Sequence, residues 1–174
     1  MSKYLEAVNE FHQAFGHPTN PKNADIPLEL RQLRIKLLFE ELEELAEATG
    51  CKGTMYDLCQ FYGEGVAQFD EDKRDKVEEI DALADLQYVL SGAILAMGHH
   101  ETFDEAFDEV QRSNMSKMCN TLQEAKDTQD WYSERDGTSS IVVDKGDKWV
   151  VLRENDKKIL KNKYYSPADL SKFV

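Results

Sequence analysis

The sequence lacks the features that mark secreted, zinc-binding or membrane-spanning proteins. Its three cysteines are an odd number without metal-ligand spacing, which argues against both a disulfide framework and a zinc site. No apolar run approaches the roughly 18 residues of a membrane span, and residues 1–15 form a charged amphipathic pattern rather than a signal peptide. We therefore expect a soluble, cytoplasmic protein that does not associate with membranes.

Positive charge is also scarce, with 21 Lys and Arg against 34 Asp and Glu and a formal net charge of -13. Such a chain repels nucleic acid and anionic surfaces, so we expect neither as a partner. A polyanionic substrate would need divalent cations to approach it. A length of 174 residues suits one domain with a core plus an appendage, because two ordinary domains need more chain.

A first group of acidic residues falls on the apolar side of a predicted helix, residues 30–48. Glu41 and Glu44 project within the apolar arc, with Glu40 at its edge, so two glutamates are expected to point inward. Arg34 lies on the same arc, where an ion pair is an alternative explanation for one carboxylate. The arc itself is defined by leucines at helical spacing, Leu30, Leu33, Leu37, Leu38, Leu42 and Leu45.

A second predicted helix, residues 77–97, is apolar in nearly every direction and should be mostly buried. Asp81 and Asp85 line up on it within a stripe of roughly 60° that also contains Glu78. Carboxylates held together in a buried place must be protonated, paired or neutralised by a cation, because burying unpaired charge is costly. Mg²⁺ is the cation that we expect to neutralise these carboxylates, because hard divalent ions prefer oxygen ligands. The alternative for both groups is a solvated acidic face without a ligand.

Three further helical segments complete a predicted bundle. One covers residues 1–15, a short one begins near Thr54, and another begins at Thr102, which could form a capping box with Glu105. Together with the two acidic helices they predict an all-α bundle of four or five helices. Short bundles with apolar helix faces often need a partner to close the core, so we expect a homodimer or homotetramer.

The character of the chain changes after about Asn120, where the helical periodicity weakens. Residues 139–143 and 148–153 flank an Asp-Lys-Gly-Asp turn and predict a β-hairpin, which is followed by an extended tail. We predict a helical domain over residues 1–118 and a C-terminal appendage, with this small hairpin, over residues 119–174.

The histidines narrow the chemistry that the acidic helices can perform. A redox di-iron site in a helical bundle would be expected to use Glu-x-x-His pairs, and none of the four histidines lies three residues after a glutamate. An all-carboxylate site favours Mg²⁺ or Mn²⁺ and phosphate esters over oxygen chemistry. Hydrolysis of a phosphoanhydride is the reaction that this pattern indicates.

The two acidic groups also carry a family resemblance. Glu40-Glu41-x-x-Glu44 followed by Asp81-x-x-x-Asp85 resembles the signature of the all-α nucleoside triphosphate pyrophosphohydrolases, which include MazG-like proteins, dimeric dUTPases and phosphoribosyl-ATP pyrophosphohydrolases. The resemblance implies that Glu40, Glu41, Glu44 and Asp85 hold Mg²⁺. It also implies that Glu41 or Glu40 activates the water that attacks the α-phosphorus, releasing a monophosphate and pyrophosphate. Relatives assemble as dimers or tetramers.

Two further elements support the resemblance. Residues 112–117 resemble the Asn-x-x-Lys element of these proteins, which implies that Asn114 and Lys117 contact the phosphates or the nucleotide, and Arg34 is a further candidate for substrate contact. The tail, residues 158–170, resembles the end of the phosphoribosyl-ATP pyrophosphohydrolase-like branch.

The sequence departs from the family in two places. Many relatives have Glu-x-x-Asp in the second group, but Ala82 stands three residues before Asp85, so Asp81 either takes that ligand's part or only assists. Residues 118–153 are additional, and a lid, a subunit contact and a specificity element are the roles considered for them.

Two other functions compete with a Mg²⁺-dependent pyrophosphohydrolase. The first is a noncatalytic nucleotide- or metal-binding helical oligomer of the same fold, which the departure at Ala82 permits. The second is a helical adaptor whose acids are merely solvated, which requires Glu41 and Asp85 to be exposed.

Overall fold

The computed structural model describes residues 3–21, 25–48, 50, 75–96 and 98–173. The described residues form five α-helices, a three-stranded antiparallel sheet in the order β1-β2-β3 and a short 3-10 helix: α1 Lys3–Phe15, α2 Leu28–Ala48, α3 Lys76–Ala96, α4 Phe103–Met115, α5 Leu122–Asp136, β1 Ser140–Asp144, β2 Trp149–Arg153, β3 Ile159–Leu160 and the 3-10 helix Ser171–Phe173. The predicted fold class, mainly helical with a small C-terminal β element, is confirmed. The short helix predicted near Thr54 lies outside the described residues.

The chain divides by its contacts into two compact units. The first unit contains residues 1–20 and 87–174, and the second contains residues 21–86, so α3 contributes to both. Among the described residues, no helix is long and apolar enough to cross a membrane. The division predicted at residue 118 stays a prediction.

The core of the first unit forms on both faces of the sheet. Val150 and Val151 are adjacent in β2 and therefore point to opposite faces, and both are almost fully buried. Val151 packs in a cluster with Ala125 and Tyr132 of α5, whereas Val150 packs with Phe15 of α1 in another. Full burial of a valine side chain contributes about 1.5–3 kcal/mol to stability. The two valines therefore stabilise the packing of this short sheet against α5 on one face and α1 on the other.

The predicted β-hairpin is confirmed, and its register is now defined. Val142 pairs with Val151, and Asp144 pairs with Trp149 at the turn end. The turn places Gly146 at φ 93°, and its N–H donates to Asp144 Oδ1 at 2.7 Å. The added strand β3 was not predicted.

The helix α5 was also not predicted, although its ends carry ordinary signals. Thr121 Oγ1 accepts from the Glu124 N–H at 3.1 Å, and Gly137 ends the helix at φ 75°. Its buried residues are Ala125, Thr128 and Tyr132. This stripe is narrow and includes a small and a polar residue, so the apolar periodicity is weak although the helix is well packed.

The helices α1 and α4 pack against each other through aromatic side chains. Tyr4 makes an edge contact with Phe107, with ring centroids 4.6 Å apart. The predicted start of α4 after Thr102 is confirmed, but the capping box is wrong. The Thr102 hydroxyl donates instead to the Phe173 carbonyl at 3.1 Å, which attaches the end of the chain to the start of this helix.

Candidate functional site

The first acidic group occupies one turn of α2. The helix begins after Pro27, whose carbonyl accepts from the Arg31 N–H at 3.2 Å. Glu40, Glu41 and Glu44 are all exposed, and Glu40 Oε1 lies 3.6 Å from Lys36 Nζ in an exposed pair. Such a surface pair contributes little to stability.

The prediction that Glu41 and Glu44 point into a buried core is wrong for the single chain. The leucines that share their arc remain substantially exposed as well, at 48% for Leu33 and 49% for Leu42. The physical reason is that, within the described part of the chain, the apolar side of α2 stays largely open to solvent. Arg34 is half-buried on the same helix.

The second acidic group occupies one turn of α3. Asp75 caps this helix, since its Oδ1 accepts from the Val77 N–H at 2.8 Å. Asp81 and Asp85 are one helical turn apart, and both are exposed. The prediction that this helix is mostly buried is also wrong for the single chain, because the apolar side chains around it face outward, at 69% exposed for Ile80 and 68% for Val89.

The carboxylates fit a hard divalent cation by donor type but are not gathered into one group. Five of them, all oxygen ligands, lie on single turns of α2 and α3. Across the described ranges, however, no group of three or more His, Cys, Asp or Glu side chains is close enough to hold a metal ion. The structure therefore presents two exposed acidic rows.

The Asn-x-x-Lys element lies in the first unit at the end of α4. Lys117 Nζ donates to Asn114 Oδ1 at 2.8 Å and lies 5.6 Å from the centre of the Phe11 ring. Burial lowers the pKa of the Lys117 amine. Its hydrogen-bond partner is a neutral amide, so this contact leaves the positive charge of the lysine uncompensated. Such a partly desolvated cation beside an amide suits an anionic phosphate oxygen.

Sequence reasoning missed two residues that surround this element. Asn162, which is 5% exposed, donates from Nδ2 to the Met118 carbonyl at 2.9 Å. The Tyr165 hydroxyl lies 2.8 Å from Ser113 Oγ. The resemblance of the tail was the available signal, but polar residues in an extended tail have no periodicity that would mark them as partners of a helix.

Comparisons with known proteins agree with this architecture. Over 234 aligned positions the chain is 26% identical to an uncharacterized protein of Acanthamoeba polyphaga mimivirus, covering 95% of this chain and 93% of that protein. The crystal structure of a provisionally assigned NTP pyrophosphohydrolase from Exiguobacterium sp. 255-15 is similar with a TM-score of 0.55 and 24% identity, covering 95% of this chain and 89% of that one. That likeness supports the fold.

A family model, phosphoribosyl-ATP pyrophosphohydrolase, matches residues 8–114. The match contains both acidic rows and Arg34 and ends at Asn114, so Lys117 and the hairpin lie beyond it. It covers more than half of the chain and supports a pyrophosphohydrolase. The chain therefore belongs to the phosphoribosyl-ATP pyrophosphohydrolase family.

Proposed function

We propose that this protein is a Mg²⁺-dependent hydrolase that converts a nucleoside triphosphate, or a related nucleotide, to a monophosphate and pyrophosphate. The observation that carries the proposal is the position of the carboxylates. All five lie on single turns of two helices inside the segment that matches the family, residues 8–114. Family membership supplies the reaction class, and the carboxylates supply the groups to perform it.

The proposed metal ligands are oxygen donors of the kind that Mg²⁺ prefers, and Mn²⁺ accepts the same donors. They are Glu40, Glu41, Glu44, Asp81 and Asp85. When bound, the metal offsets phosphate charge and makes a bound water more acidic. A protein with a net charge of -13 has a particular need for that neutralisation when its substrate is a polyanion.

In the proposed reaction, Glu41, or Glu40 beside it, accepts a proton from water as the water oxygen bonds to the α-phosphorus. The bond between the α-phosphorus and its bridging oxygen breaks, and that oxygen leaves with pyrophosphate. Lys117 and Asn114 contact the phosphates, with Arg34 as a further substrate contact. Lys117 is the substrate contact that the described geometry supports best, because its described hydrogen-bond partner is a neutral amide.

We also propose that a second copy of the chain covers the apolar sides of α2 and α3. Exposed side chains such as Ile35 at 66%, Ile80 at 69% and Val89 at 68% are unusual for a folded monomer when they lie together on helices. Homodimers or homotetramers are the expected assemblies. Sedimentation equilibrium tests this directly, and a monomer at micromolar concentration would contradict it.

The test of the activity is product analysis on a panel of canonical, deoxy and modified nucleoside triphosphates with Mg²⁺. The native protein is compared with Glu41→Gln and with Glu43→Gln, a matched control two residues further along α2, whose side chain projects about 200° around the helix axis from that of Glu41. We expect pyrophosphate and monophosphate from at least one substrate. The Glu41→Gln change should lower the rate by roughly 10²–10⁴-fold, the range for loss of a general base, and Glu43→Gln should leave it nearly unchanged.

The same experiment separates the competing functions. Absence of turnover across the panel, with Mg²⁺ or nucleotide still raising the melting temperature, would indicate the noncatalytic binding oligomer. Ala82, at the position where many relatives are expected to have a carboxylate, is the feature that favours this alternative. The adaptor hypothesis meets its requirement, since Glu41 and Asp85 are exposed in the single chain. Under that hypothesis, replacing either by Leu leaves folding and the response to metal unchanged.

A further inference from the structure

The C-terminal segment, residues 162–169, is held against the end of α4 by hydrogen bonds. It begins at Asn162, whose backbone N–H donates to the Lys117 carbonyl at 3.2 Å and whose Nδ2 donates to the Met118 carbonyl at 2.9 Å. Asn162 is 5% exposed, so water competes little for these groups. The backbone on which Lys117 stands is therefore held directly by this segment.

The next contacts involve two serines on either side of Asn114. The Tyr165 hydroxyl lies 2.8 Å from Ser113 Oγ, and Ser113 is 4% exposed. Ser116 Oγ accepts from the Ser166 N–H at 3.0 Å and donates to the Ser113 carbonyl at 2.7 Å. Both contacts hold the last turn of α4, where helices ordinarily fray because their carbonyls lack intrahelical partners.

The far end of the segment contacts a charged pair, Glu109 and Arg112, which lies one turn earlier on α4. Arg112 donates from Nε and Nη2 to the two oxygens of Glu109, each at 2.8 Å, and also from Nη2 to the Pro167 carbonyl at 3.0 Å. Glu109 in turn accepts from the Asp169 N–H at 2.9 Å. Bidentate charge-assisted bonds of this kind fix orientation as well as distance.

These contacts leave the Asn-x-x-Lys pair on a different part of the helix surface. Glu109, Arg112, Ser113 and Ser116 follow the spacing i, i+3, i+4, i+7 and so form one face of α4 and its C-cap. Asn114 and Lys117 project beside that face and bond to each other at 2.8 Å. The C-terminal segment thus holds the last turn of α4 through this face and through the backbone carbonyls that follow it, and it leaves the side chains of Asn114 and Lys117 uncovered by these contacts.

We propose that the C-terminal segment is a positioning element for phosphate binding, which holds Lys117 and Asn114 at the separation that the phosphates of the substrate require. Tyr165 is then a positioning residue that acts through Lys117 rather than a catalytic residue. This inference rests on the proposed function, since it assumes that Lys117 binds a phosphate oxygen.

The test compares Tyr165→Phe with Tyr164→Phe. The first change removes the hydroxyl that bonds to Ser113, while the second removes the hydroxyl of the neighbouring tyrosine, which is 60% exposed. A contact made equally in the bound substrate and in the transition state changes KM and leaves kcat unchanged. We expect Tyr165→Phe to raise KM for the Mg²⁺-nucleotide about fivefold, the equivalent of one hydrogen bond, and Tyr164→Phe to change neither constant.

The decisive arm repeats Tyr165→Phe in a Lys117→Gln background. If Tyr165 acts through Lys117, the additional rise in KM disappears there, although the loss of melting temperature from Tyr165→Phe is the same in both backgrounds. A rise in KM that persists without Lys117, or one that Tyr164→Phe reproduces, overturns the inference.

Calorimetric titration with Mg²⁺ and inorganic pyrophosphate separates this inference from the proposed function. Weaker pyrophosphate binding in Tyr165→Phe, but not in Tyr164→Phe, supports the positioning role independently of turnover. A native protein that neither turns over the panel nor binds pyrophosphate overturns the proposed function and the inference with it. If the native protein turns over nucleotide but Tyr165→Phe has the same KM and the same pyrophosphate affinity as Tyr164→Phe, the inference alone is overturned.

Discussion

Asn162→Ala should be strongly destabilising for a polar substitution. The side chain is 5% exposed, its Nδ2 donates to the Met118 carbonyl at 2.9 Å, and its Oδ1 accepts from the Tyr164 N–H at 3.0 Å. Alanine removes both bonds and leaves the carbonyl of Met118, a residue that is 6% exposed, without this donor. An unsatisfied buried group costs about 1–3 kcal/mol, and loss of the bond to the more exposed Tyr164 N–H adds about 1 kcal/mol, so we expect a loss of roughly 2–4 kcal/mol. In a chain of this length that corresponds to a drop in melting temperature of about 4–16 °C.

Intrinsic fluorescence is a suitable assay because the chain has two tryptophans, and both lie in the same compact unit as Asn162. Trp149 in β2 packs against the cluster that contains Cys119 and Leu160, and Trp131 lies on α5. The matched control is Asn120→Ala, the same substitution at an exposed asparagine before α5, which should change the melting temperature little. If Asn162→Ala melts within 1–2 °C of Asn120→Ala, by the same scale, the reasoning about buried polar groups here is refuted.

Two further predictions concern the charged contact on α4 and the end of α5. The Arg112 guanidinium, and then the Asp169 N–H, lower the pKa of Glu109 to about 2, whereas an unfolded glutamate has a pKa near 4.3. The pair therefore stabilises the fold above about pH 4.3 and loses this contribution as the pH falls towards 2, so acid should destabilise the native protein more than Glu109→Gln in urea titrations at pH 6, 4 and 2.5. Gly137→Ala should cost about 1–2 kcal/mol by the same fluorescence assay, because Gly137 has φ 75° while a Cβ there would meet nothing within 4 Å. Gly137→Asn, which tolerates this conformation better, should recover most of the loss.

The helices with wide apolar stripes and the hairpin were predictable because each has a strong local signal. The ends of α1, α2 and α3 lie within two residues of their predicted ends. The hairpin followed from two β-rich runs around a turn with glycine, and the pairing of Asp144 with Trp149 agrees with it. In both cases the residues that decide the structure are neighbours in sequence.

The parts that the sequence did not predict depend on partners far along the chain. The helix α5 buries Thr128, whose hydroxyl accepts from the Lys163 N–H at 3.1 Å, so a polar residue occupies a core position. The strand β3 is only Ile159–Leu160, too short for a periodic signal, and exists by pairing with β2. Hydrophobic periodicity detects neither case.

The acidic rows show a different limit of sequence reasoning. Periodicity predicted that one side of α2 and nearly all of α3 are apolar, but it could not show what covers these surfaces. Residues such as Leu42 and Ile80 are exposed in the single chain. A helical pattern reports the need for a neighbour and does not say whether the neighbour belongs to the same chain.

The fastening of Asn162 to Lys117 has a consequence for how the chain can change. Because the Asn162 N–H lies 3.2 Å from the Lys117 carbonyl, residues 118–161 leave the chain just after α4 and rejoin it at the same place. An excursion whose two ends meet can lengthen, shorten or be exchanged with a small entropic penalty, because loop closure depends only weakly on loop length. The architecture thus allows the module carrying α5 and the sheet to vary between relatives while the final residues keep their register on α4.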